Sequence, residues 1–217
     1  MNKKIEQIGY ALLTLLWFLG SQLIVGSITR LCVADYESFY NVYQYEINFI
    51  AQILCLGVLL IIDYKKQQSY IQRGALKTKE VPIYIISGAI LYVISIGINM
   101  VLLPYFPGYE AIQNMFGNQS PVWRFIVIVI MAPCLEEYVF RGKIQGYLKN
   151  VFPPSLAIIG QALLFGSLHG LALQKIYASV IGIFLGFARE KTNKLQASII
   201  MHMTVNFISW CIATTNM

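Results

Sequence analysis

Apolar sequence in this chain comes in long runs, most of them near the roughly 20 residues that an α-helix needs to cross the hydrocarbon of a bilayer. They fall at residues 8–27, 48–62, 81–103, from 122 past Pro133 into the polar sequence 136–149, then at 155–173, 176–188 and 195–214. Of 217 residues, 57% are apolar and only 12% charged, and the mean hydropathy is +0.62. A water-soluble domain carries about 25% charged residues, so this chain has too few polar side chains to cover a soluble globule. Disorder is excluded as well, since it needs low hydrophobicity and high charge. The expected fold class is all-α, a polytopic transmembrane helix bundle. About seven spans are expected, within a range of about six to eight, in a single membrane-embedded domain covering residues 1–217. The first run is longer than the apolar core of a signal peptide and lacks a small-residue cleavage pattern, so it is expected to remain as the first span. Pro104 and Pro107 close the third run, Pro133 interrupts the fourth, and Pro153–Pro154 precede the fifth.

The net charge of +6 does not point to nucleic acid, whose binders gather Lys and Arg on one solvated face. Here the basic residues sit in short clusters between apolar runs, which makes the lipid bilayer the expected partner. With a cytoplasmic N-terminus, the inside segments hold Lys3, Lys4, Lys65, Lys66, Arg73, Lys77, Lys79, Arg141, Lys143, Lys149, Arg189, Lys191 and Lys194. That is thirteen of the sixteen basic residues; Arg30, Arg124 and Lys175 fall outside. Such a bias follows the positive-inside rule and gives an integral membrane protein. Cys32, Cys55, Cys134 and Cys211 are widely spaced with no CxxC pair, and read as small apolar residues rather than a disulfide or zinc framework. The aromatics Tyr36, Phe39, Tyr40, Tyr43 and Tyr45 read as an interfacial belt in an outside segment, 28–46. Gly166 with Gly170, and Gly182 with Gly186, form GxxxG pairs expected to let helices approach closely in spans five and six.

Three clusters break the apolar pattern. They are Glu136-Glu137-Tyr138-Val139-Phe140-Arg141, Phe165-Gly166-Ser167-Leu168-His169 and His202-Met203-Thr204-Val205-Asn206. Charged and imidazole groups inside a span are costly unless paired or facing a wet cavity, and the default reading of such groups is functional. The chain has two histidines, and both lie in these clusters. At 1.5 Å per residue, Glu136 lies about 18 Å from a helix end near Leu148, His169 about 20 Å from Leu156, and Asn206 about 17 Å from Leu195. His202 is four residues before Asn206 and shares its helix face. One site in a motif-bearing core at about 120–214 is therefore geometrically allowed.

Glu137 and Arg141 are four apart and suited to an ion pair that holds the helix. Glu136 points about 100° away on the same helix and stays free to act as general base and then general acid. His169 is placed to hold a water from the other side, and His202 with Asn206 offers donors for an oxyanion. This set suits amide hydrolysis. The same residues allow a second arrangement in which Glu136, His169 and His202 bind zinc, although no HExxH segment is present. A third reading, from another class, is a non-catalytic membrane protein that binds a peptide or its receptor. A proton-relaying transporter has the least support, because no repeated pair of broken helices is present.

The order EExxxR at Glu136–Arg141, FxxxH at Phe165–His169 and HxxxN at His202–Asn206 resembles the CPBP family. This family of intramembrane proteases includes the type II CAAX prenyl proteases and the bacterial Abi proteins; its small bacterial members look like peptide processors or bacteriocin self-immunity proteins, so the resemblance implies a bacterial cell membrane as the setting and a non-catalytic bacteriocin-immunity protein as the alternative. The resemblance covers about the C-terminal hundred residues. It implies peptide-bond hydrolysis of peptides or membrane-associated proteins, with Glu136 and His169 activating water and His202 and Asn206 forming the oxyanion site. By the same resemblance Glu137, Arg141 and Phe165 are supporting residues. Family members have been described both as metal-dependent and as glutamate-based, so the resemblance leaves zinc open as a cofactor.

Overall fold

In the computed structural model, residues 3–65, 75–106 and 120–215 are described. Lys66, Arg73 and Pro107, expected in loops, lie outside them. Among the described residues seven helices follow one another: α1 (Lys3–Cys32), α2 (Tyr36–Lys65), α3 (Val81–Leu102), α4 (residues 121–149), α5 (Pro154–Ser167), α6 (Ala172–Thr192) and α7 (Leu195–Thr215). Among the described residues there is no strand. The expected all-α helical bundle is thus observed among the described residues, whereas about seven spans were expected. Four of the seven helices, α1, α2, α3 with its flanking turns, and α7, are long and apolar enough to cross a membrane.

Of the remaining three, α5 is apolar but has only 14 residues, and α4 carries Glu136, Glu137, Arg141 and Lys143. α5 packs along α6, α7 lies against both α3 and α6, and α1 pairs with α2 and closes over α4. Close approach depends on glycine at particular points. A Cβ on Gly88 of α3 would stand 2.6 Å from the Met201 carbonyl oxygen of α7. On α6, a Cβ at Gly182 would meet Ala162 at 3.1 Å, and one at Gly186 would meet Gln161 at 2.6 Å. The Gly182/Gly186 pair therefore forms the packing face expected of a small-xxx-small pattern.

Polar contacts show which helix ends lie together. Lys194, after α6, is 3.8 Å from Glu80, before α3. Lys149 at the end of α4 pairs with Glu190 of α6 at 2.7 Å, and the Asn150 amide donates to Gln7 of α1 at 2.8 Å. The basic segments that the charge rule assigns to one side are thus gathered at one end of the bundle.

Several expectations need correction. The fifth helix stops at Ser167 rather than running to 173, so Gly170 is outside it and Gly166 and Gly170 do not form a helix-face pair. Gly166 alone lies in close contact, against the Lys175 carbonyl and the Ser179 side chain of α6. The sixth apolar run, 176–188, lies within a longer helix of 21 residues, Ala172–Thr192. Most of segment 28–46, which carries the aromatics, is helical: α1 runs to Cys32, and α2 begins at Tyr36 and bends at Tyr43 (φ −110°, ψ 16°). Tyr36 stacks on Tyr40, and Phe39 packs on Tyr43, each a four-residue step along the helix. Arg124 is buried at the start of α4 instead of lying in a loop. Lys143, assigned by the charge rule to an inside segment, is buried and ion-paired with the buried Asp63, and the Tyr138 hydroxyl donates to the same Asp63 carboxylate. The four cysteines are free thiols; Cys55 is buried but Cys32 is exposed.

Candidate active site

The site starts from an irregularity in α4. Residues Phe125–Met131 and Tyr138–Ile144 are wound as π-helix, and the ordinary α-helical turn Ala132–Glu137 sits between them. π segments are rare and tend to mark functional positions. Proline explains part of this one. The Ala132 N–H bonds the Val127 carbonyl, and Pro133, next in line, has no N–H to offer the Ile128 carbonyl. A buried carbonyl needs a partner, and α7 supplies it: the Asn206 amide nitrogen donates to Ile128 O at 2.9 Å. Asn206 therefore ties the two motif-bearing helices together and retains a second N–H on the same nitrogen.

Below it on α7, His202 is held between two carboxylates of α4. Its Nδ1 lies 2.8 Å from Glu137 Oε1, and its Nε2 lies 3.8 Å from Glu136 Oε2. Glu137 also accepts from Arg141 Nη1 at 2.8 Å, with both side chains fully buried. Arg141 in turn donates from Nη2 to the Gly182 carbonyl of α6 at 3.3 Å. The chain of contacts Gly182–Arg141–Glu137–His202 thus crosses three helices. Within it Glu137, bonded to His202 Nδ1, sets the imidazole's orientation and leaves Nε2 facing Glu136. The Glu136 side chain is 24% exposed where that of Glu137 is 0%, so of the two adjacent glutamates only Glu136 is open to a reactant.

Phe165 on α5 forms the apolar floor. Arg141 lies over its ring at 4.3 Å, a geometry suited to cation–π attraction. The ring also meets Phe140, His169 and His202 with centroid separations of 5.3, 4.9 and 5.8 Å. His169 stands in the bend just after α5, with Nδ1 3.1 Å from the Phe165 carbonyl. It therefore joins the group through Phe165 and not through a hydrogen bond to Glu136. Irregular backbone at membrane depth persists only against protein or a water-filled cavity. α5 has 14 residues, about 21 Å of helix, so the bend that carries His169 falls short of the far side of the roughly 30 Å hydrocarbon core.

The structure thus brings Glu136, Glu137, Arg141, Phe165 and His202 into one cluster, with Asn206 one turn along α7 and His169 on its edge. The set Glu136, His169 and His202 does not fit a zinc ion as placed: among the described residues no three His, Cys, Asp or Glu side chains converge to hold a metal. Sequence spacing paired His202 with Asn206 and missed its bond to Glu137, since contacts between distant helices leave no local trace. The Asp63–Lys143 pair was missed for the same reason.

Residues 118–208 match the family described as Type II CAAX prenyl endopeptidase Rce1-like. The match spans all three motifs and supports the CPBP assignment read from them. Comparison with curated proteins and with solved structures returned no match.

Proposed function

From a segment at residues 118–208 that matches the type II CAAX prenyl endopeptidase family, we propose that this protein is an intramembrane endopeptidase of the glutamate type. The observation that carries the reading is the pair of unequal glutamates around His202, one sealed and bonded, the other open. Glu136 takes a proton from a water held against His169, and the hydroxide oxygen attacks the carbonyl carbon of the scissile amide. The charge that develops on the carbonyl oxygen is met by donors from His202 and from the second N–H of Asn206. Glu136 then returns the proton to the amide nitrogen as the C–N bond breaks, releasing an amine and a carboxylate. Glu137 and Arg141 hold His202 in place throughout.

The substrate class is a peptide or a membrane-associated protein presented from the bilayer. The test is cleavage of a fluorogenic peptide library by the purified chain in detergent, beside Glu136→Gln and His169→Ala. General-base catalysis is worth about 10²–10⁴-fold, so Glu136→Gln should lower the rate by that factor while insertion and purification yield hold. Full activity in both variants would refute the mechanism. Cleavage lost on chelation and restored by zinc would replace it with metal-assisted hydrolysis.

A further inference from the structure

Away from the cluster just described, α3 and α6 enclose a groove of 540 Å³. It contains none of Glu136, His169, His202 or Asn206. Its walls are apolar: Ile83, Ile90 and Leu91 on α3 face Phe184 and Phe187 on α6. One end is polar, formed by Glu80, Lys191, Thr192 and Lys194. From Glu80 to Ile94 the groove follows α3 for about 21 Å, longer than one leaflet at half of a roughly 30 Å hydrocarbon core.

The charge at the polar end is asymmetric. Lys194 is 3.8 Å from Glu80, which uses the one acidic group there. Lys191 is exposed, and among the described residues its ammonium has no ion-pair partner. Lys77 and Lys79 precede Glu80 in the chain and add to the basic character of this end. It is also the end where the lysine-rich segments gather, facing the anionic leaflet under the positive-inside rule. An amphiphile with a negative head and an apolar tail matches both parts of this surface.

We propose that the groove between α3 and α6 is a binding site for one anionic membrane phospholipid, its phosphate at Lys191 and an acyl chain against Ile83, Ile90 and Phe187. The site does not depend on hydrolysis elsewhere in the molecule. One lysine near an anionic headgroup contributes an interaction equivalent to about fivefold in affinity.

Native mass spectrometry of the purified chain in neutral detergent tests this directly. Phosphatidylglycerol and phosphatidylcholine with identical acyl chains are titrated into wild type, Lys191→Gln, Ile90→Trp and a remote control, Lys3→Gln. Wild type and the control should retain one phosphatidylglycerol at least about fivefold more tightly than phosphatidylcholine. Lys191→Gln should erase that preference and leave phosphatidylcholine unchanged. Ile90 is 55% exposed, so Ile90→Trp should fill the groove and weaken both lipids without disturbing the core. Equal binding of the two lipids by wild type overturns the proposal, as does a Lys191→Gln profile identical to the control. Full competition by inorganic phosphate alone would also overturn it, because the apolar wall would then contribute nothing.

Discussion

Glu137 accepts from two sides at once, Arg141 at 2.8 Å and His202 at 2.8 Å, with its own side chain fully buried. A buried carboxylate so placed depends on its partners, because removing one leaves an uncompensated charge in low dielectric. Arg141→Met should therefore lower unfolding stability by about 3–5 kcal/mol, read from the denaturation midpoint of the purified protein in micelles. A change below about 1 kcal/mol, as for an exposed ion pair, would mean that the pair is hydrated. The sequence showed the four-residue spacing of Glu137 and Arg141, and that part of the site was legible. The His202–Glu137 bond and the Asp63–Lys143 pair were not, because the partners are 65 and 80 residues apart.

At the scale of elements, α4 and α7 are joined where proline removes a donor. Pro133→Ala would restore an N–H able to bond the Ile128 carbonyl, and the Asn206 amide would lose its sole claim on that acceptor. The expected outcome is a helix at least as stable as wild type with a peptide-cleavage rate lowered by about tenfold or more, since small misplacements in an active site cost up to about 10²-fold. Stability and rate measured on the same preparation check this, and an unchanged rate would detach Asn206 from the chemistry. Hydropathy located the helices well where they are apolar: 81–103 was expected and Val81–Leu102 is observed. It failed at α5, where the apolar run continues past Ser167 although the helix does not. Apolar character persists through Leu168 and Leu171 while the backbone turns through His169 and Gly170, and hydropathy cannot distinguish an apolar bend from an apolar helix.

For the whole molecule, the shared end of Lys149, Glu190, Lys194, Glu80 and Gln7 fixes how the helices alternate. With that end cytoplasmic, the exposed Cys32 at the close of α1 faces outward. In a variant keeping only this cysteine, a membrane-impermeant maleimide should label intact cells, whereas labelling only after permeabilisation would invert the topology. The same alternation puts the free end of α5 inside the span of the lipid tails, and the residues around it, Ser167, Leu168 and Gly170, are exposed. A helix of about 21 Å in a layer of about 30 Å is a local thickness mismatch, and bilayers answer such mismatch by thinning around the short element. The expected consequence is a solvent deformed by its own solute: a bilayer thinned beside α5, with water reaching toward His169 from the end opposite the Lys149–Glu190 and Lys194–Glu80 pairs.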